Sequence, residues 1–163
     1  MAALPPGVKA PALELQQTDG RQFTLGAALG GGPVVLAFFR TDCPICQFSF
    51  PFLERIRRRY GHGQSLLLGI SQNDLKTTRR FAQEYDLGMP LALDAVGAVS
   101  RAWGVTIVPT LFSIGRDGNI ARSIVGFVRD DYEALNRDFA EASSAAPTPL
   151  FTSEEAIPAL RPG

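Results

Sequence analysis

The sequence predicts an α/β fold, a central mixed β-sheet flanked by helices, with an N-terminal β-hairpin extension. Three observations carry this. Val34-Val-Leu-Ala-Phe-Phe39 is apolar without alternation, the pattern of a strand buried on both faces. A helical stripe and a second apolar run at 66–70 follow it, so a right-handed β-α-β unit lays the two runs side by side and parallel. Segments 110–114 and 120–125 flank Gly115-Arg-Asp-Gly-Asn119 and read as a closing hairpin antiparallel to them.

Taken in order, residues 1–12 hold Pro5, Pro6, Gly7 and Pro11 and read as an irregular lead-in. Segments 13–16 and 21–25 flank a Thr18-Asp19-Gly20 turn and form a small hairpin. Gly30-Gly31-Gly32-Pro33 punctuates the chain before the first apolar run. From 44 to 60, Cys46, Phe50, Leu53, Ile56 and Tyr60 recur at helical spacing on one stripe. Glu54, Arg55, Arg57, Arg58 and Arg59 fall outside it and are expected to face water. Pro51 removes one backbone hydrogen bond within the span, which predicts a kink. Asn73 or Asp74 caps a helix running to Tyr85 and ended by Gly88. Residues 91–93 are a short extended segment, 95–103 a short helix, and Asp130-Asp131 open a last helix to Ala142. Residues 1–142 therefore form one domain. Residues 143–163, rich in Ala, Pro and Ser, are expected to be an extended or loosely held tail.

Composition narrows the function classes. The 163 residues carry 16 basic and 16 acidic side chains, and 45% are hydrophobic. Zero net charge, with no basic run beyond Arg57-Arg58-Arg59, leaves little to hold a nucleic acid or an anionic membrane. No stretch approaches the roughly 18 apolar residues of a membrane helix. The start of the chain lacks the basic and apolar parts of a secretory signal, which favours the cytoplasm; an exported chain with its signal trimmed would read the same.

The two cysteines matter through their spacing. Cys43 and Cys46 enclose Pro44 and Ile45, directly after the first buried run and at the opening of the long helix. Their Cα atoms across one helical turn are about 5 Å apart, within disulfide range. A helix N-terminus carries partial positive charge and unpaired N–H groups, which favours a thiolate, the nucleophilic form. With Cys43 at the N-cap, Pro44 takes the first helical position, where its missing N–H costs nothing. The N–H groups of Ile45 and Cys46 can then donate to the Cys43 sulfur. Cys43 is accordingly the attacking thiol, and Cys46, on the inward stripe, the resolving one. The plain alternative is a pair of small buried hydrophobes. A zinc site would need two more ligands, for which the chain offers only His62 and carboxylates. His62 sits between Gly61 and Gly63 and reads as a solvated turn residue. Val108-Pro109-Thr110 precedes an apolar strand, either as ordinary punctuation or as a cis proline packed beside the cysteines.

The strand, the Cys-Pro-Ile-Cys helix start and the later Val-Pro-Thr together resemble the thioredoxin superfamily. The stretch 7–25, with Ala10-Pro11, Asp19-Gly20 and Thr24-Leu25, is similar to the N-terminal hairpin of its redoxin branch, which holds TlpA/ResA-like thiol-disulfide oxidoreductases and the AhpC/TSA-related peroxiredoxins. The resemblance covers about residues 7–142. It implies a Cys43–Cys46 redox-active disulfide with no other cofactor and no metal, and a cis Pro109 beside it. It also implies that the loop Val108-Pro109-Thr110 presents backbone to protein or small-molecule disulfides; it specifies no electron donor. The sequence departs from that pattern in three places. Ala37 stands where thioredoxins carry a buried acid, and Ser49 where ResA-like proteins carry an acidic residue. Asp42 replaces the usual tryptophan before the first cysteine, so Asp42 opposes ionisation of Cys43 while Arg40 offsets it, and both join Pro44 as tuning residues. One alternative function is a peroxiredoxin-like peroxidase. Its motif needs Thr or Ser three residues before the reactive cysteine, whereas Thr41 lies two before Cys43, and 36–42 lacks the accompanying proline. A redox-inert binding module is the other, and the presence of both cysteines argues against it.

Overall fold

A computed structural model describes residues 2–163. β1 (Glu14–Gln16) and β2 (Gln22–Thr24) pair antiparallel, Leu15 opposite Phe23. The turn between them is closed by Asp19, whose carboxylate accepts from the Arg21 amide at 2.9 Å. A short helix, α1 (Leu25–Leu29), follows. The sequence pattern does not announce it, because five residues without a side-chain cap are too few to display a period. Leu25 nevertheless drops into the core.

The main sheet has five strands in the order β5-β4-β3-β6-β7. At its centre β3 (Val34–Phe39) lies parallel to β4 (Leu66–Ser71) and antiparallel to β6 (Thr110–Ile114). β5 (Leu91–Leu93) continues the parallel side, and β7 (Ile120–Val125) completes the hairpin with β6. All six β3 residues are buried, as an apolar run without alternation requires. Its side chains alternate between two cores. Val35, Ala37 and Phe39 join Cys46, Phe50 and Leu53 of α2 (Pro44–Tyr60), Phe81 of α3 (Leu75–Glu84), and Leu135 and Phe139 on one face. Val34, Leu36 and Phe38 join Leu13, Phe23, Phe112 and Trp103 on the other, with Val99 of α4 (Ala98–Ala102) packed at its edge.

Caps explain where the helices start. Asp74 accepts from the Thr77 amide at 2.8 Å and opens α3. The Asp94 carboxylate accepts from the Val99 and Ser100 amides at 3.1 and 2.7 Å, so α4 begins later than its sequence pattern suggests. α2 runs unbroken through Pro51. The expectation that Glu54 faces water is corrected: it is only 3% exposed. Its carboxylate is tied to Arg57 and Arg58 and accepts from the Met89 amide at 3.0 Å. A buried charge is tolerable when its lone pairs are filled in this way.

The expectation of a loosely held tail is also corrected. After β8 (Phe127–Val128) and α5 (Arg129–Ala142), the chain at 143–163 is extended but tied down. Leu150 is fully buried, and Glu133 of α5 accepts from the Leu150 and Phe151 amides, both at 3.1 Å. Arg55 of α2 grips Glu155 through two 2.8 Å hydrogen bonds. The Tyr60 hydroxyl accepts from the Thr148 amide at 2.9 Å. Finally β9 (Leu160–Arg161) pairs antiparallel with β8. These anchors are single residues at irregular intervals with distant partners, so composition alone does not reveal them.

Candidate active site

The site lies where the central strand gives way to the longest helix. After Phe39 the chain turns through Arg40–Asp42, which α2 and the loop after β4 hold in place. The Thr41 amide donates to Asn73 Oδ1 at 2.9 Å, and Gln47 Nε2 donates to the Thr41 carbonyl at 2.9 Å. Cys43 is the N-cap of α2, with extended backbone (φ −87°, ψ 116°), and Pro44 occupies the first turn. The Cys43 sulfur accepts a hydrogen bond from the Cys46 amide at 3.2 Å. Of the two amide donors considered from sequence, only that of Cys46 is engaged, and the Ile45 amide is not.

The two thiols are free and differ sharply in exposure. Cys43 is half-buried, whereas Cys46 is completely buried. Burial pushes the Cys46 thiol well above the ordinary range, and contact with Cys43 and the charge of Asp42 add to the shift, while the Arg40 backbone works against it. Ser49, also fully buried, donates its hydroxyl to the Ile45 carbonyl at 2.6 Å. Ala37 is fully buried as well.

The loop before β6 comes up against the same sulfur. The Val108–Pro109 peptide bond is cis, and the Val108 carbonyl oxygen lies 3.5 Å from Cys43 Sγ. Pro109 accepts from the Gly126 amide at 2.7 Å. Thr110, 1% exposed, turns inward, and its hydroxyl donates to the Ile107 carbonyl at 2.6 Å, bracing the loop. Arg40 and Asp42 form an exposed ion pair at 3.1 Å beside Cys43. An exposed pair of this kind contributes little to stability. His62 is exposed in the turn after α2, the far end of a helix about 25 Å long. Among the described residues, no three His, Cys, Asp or Glu side chains gather as a metal site.

Two further neighbours of this site come from the end of the fold. Arg161 places its guanidinium carbon 4.5 Å above the Phe48 ring, and Gly163 packs against Val108 and Ile107. Neither contact has a local sequence signal, since each joins residues far apart in the chain.

A thiol pair at the head of a helix, touching a cis-proline loop at one end of a five-stranded mixed sheet, defines an oxidoreductase of thioredoxin-like fold. The chain belongs to the AhpC/TSA family, whose model matches residues 6–123. It is similar to the thiol-disulfide oxidoreductase ResA of Bacillus thuringiensis subsp. konkukian, with 29% identity over 122 residues, 74% of this chain and 69% of that one. Among solved structures it resembles one described as the thiol:disulfide interchange protein DsbE of Chlorobium tepidum. That match has a TM-score of 0.76 and 28% identity, and covers 86% of this chain and 99% of the other. Peroxidoxin BcpB of Mycobacterium tuberculosis shares the fold, with a TM-score of 0.73 and 23% identity, covering 85% of this chain and 97% of its own.

Proposed function

We propose that the protein exchanges a Cys43–Cys46 dithiol with the disulfide of a protein or small-molecule client. The observation that carries this reading is the half-buried Cys43 sulfur, which takes a hydrogen bond from the helix-start amide of Cys46 at 3.2 Å. The Cys46 amide and the positive end of the helix point at that sulfur, where negative charge develops during exchange. In the first step Cys43 thiolate attacks one client sulfur. The client S–S bond breaks, the departing thiolate takes up a proton, and a mixed disulfide forms. Cys46 then loses its proton and attacks the Cys43 sulfur, releasing the second client thiol and leaving the Cys43–Cys46 disulfide. An external dithiol returns the pair to its reduced form, and no further cofactor is needed.

In this reading Val108 borders the client while buried Pro109 and Thr110 brace its loop from within, and Arg40–Asp42 sets the local charge, with Pro44 fixing the helix start. The buried, protonated Cys46 is suited to resolving rather than attacking. Reduction of bis(2-hydroxyethyl) disulfide by the wild type, Cys43→Ser and Cys46→Ser, with dithiothreitol as electron source, is the test. Cys43→Ser is expected to abolish turnover and Cys46→Ser to lose most of it, and Cys46→Ser reduced and then freed of dithiothreitol is expected to trap a mixed disulfide on Cys43. Rapid hydrogen peroxide consumption surviving Cys46→Ser would point to a peroxidase instead, and binding behaviour untouched by losing both thiols to a redox-inert module.

A further inference from the structure

The backbone of Val108 borders the place a client sulfur takes on Cys43, its carbonyl oxygen lying 3.5 Å from Cys43 Sγ. That carbonyl already has a neighbour from the far end of the fold. Gly163 sits against Val108 O and the Ile107 side chain so closely that a Cβ at 163 has no room. The segment is held there in three ways. β9 pairs with β8, Phe127 opposite Arg161 and Val128 opposite Leu160. The Arg161 guanidinium covers the Phe48 ring at 4.5 Å, two residues beyond Cys46. Gly126, at φ +73°, lies under Arg161, Pro162 and Gly163, where a Cβ would meet the Arg161 carbonyl at 3.0 Å.

We propose that residues 160–163 determine client size: docked on Val108, they shut extended polypeptide disulfides out of this side of Cys43 while leaving small disulfides free to reach it. This rests on the thiol-disulfide exchange reading. Polypeptide clients then react only through the fraction of molecules whose segment 160–163 has lifted, so their rate scales with that fraction. Small clients react with either form. Arg161 is the anchor most open to testing, because its contact with Phe48 is solvent-edged and its removal leaves no buried group unpaired.

The experiment compares wild type and Arg161→Ala on two disulfides, insulin and bis(2-hydroxyethyl) disulfide. Loss of this partly exposed cation–π contact is expected to raise the insulin rate roughly two- to fivefold. The small-disulfide rate is expected to stay the same. An unchanged ratio of the two rates, or a fall in the insulin rate, overturns the inference while leaving exchange intact. Wild type inactive on both disulfides removes the exchange reading and this inference with it. Amide exchange on Cys46→Ser carrying a peptide as a mixed disulfide is the second measurement. Lost protection at 160–161 supports the inference; protection equal to that of the unloaded protein overturns it.

Discussion

Glu54 carries a negative charge in the interior, only 3% exposed, and its surroundings determine what that costs. Burial by itself raises its pKa, but the hydrogen bonds from Arg57, the backbone amide at Met89 and Arg58 outweigh this and hold the carboxyl below its ordinary 4.5. A carboxylate depressed in the folded state contributes stability above its unfolded pKa and loses it as pH falls through the folded value. Glu54→Gln is therefore expected to cost about 2 kcal/mol at neutral pH and to flatten the acid side of the stability profile, as urea unfolding at pH 7 and pH 3 would show. Cys46 behaves in the opposite sense, since burial disfavours its anion. In Cys43→Ser, Cys46 is expected to resist iodoacetamide up to mildly alkaline pH and to react once urea unfolds the chain; reaction in the native protein at neutral pH would contradict the burial.

At the scale of elements, α2 does two jobs, presenting Cys43 at its start and packing Cys46, Phe50, Leu53 and Ile56 under the sheet. Pro51 denies the Gln47 carbonyl its helical donor without ending the helix. Pro51→Ala, at an exposed position, is expected to stabilise by about 1 kcal/mol after the greater freedom of the unfolded chain is counted, seen as a higher thermal midpoint. The limits of β3, α2, β6 and β7 were legible because each rests on a local rule: an unalternated apolar run, proline at the first helical turn, a hairpin loop rich in glycine. α1 was not, being too short to show a period. Nor was the inward turn of Glu54, which depends on Met89, far along the chain. The cysteine pair could be read from spacing alone. The approach of Val108 came only through resemblance, and that of Arg161 to Phe48 not at all, because no residue-to-residue pattern encodes a contact across more than a hundred positions.

On the scale of the whole molecule, segment 143–163 belongs to the folded body. Leu150 is fully buried in the core that holds Cys46. Leu150→Ala is expected to cost 2 kcal/mol or more, the range of about 2–5 kcal/mol typical of such truncations, measurable by denaturant unfolding. Arg55 first, and then the Thr152 amide, hold Glu155 down to about 2. The tie therefore contributes fully above the usual glutamate value and fades only as pH falls toward about 2. Cleavage of 143–163 by pepsin is expected to accelerate only in that acid range, and Glu155→Gln to bring it on at milder pH. The division of the core into two faces has a spectroscopic consequence as well. The only tryptophan, Trp103, lies on the side of the sheet away from both sulfurs, among Phe38 and Phe112. Indole emission should thus report global unfolding while remaining nearly blind to whether the sulfurs are joined, so one optical signal can compare the stability of the oxidised and reduced proteins without correction for quenching.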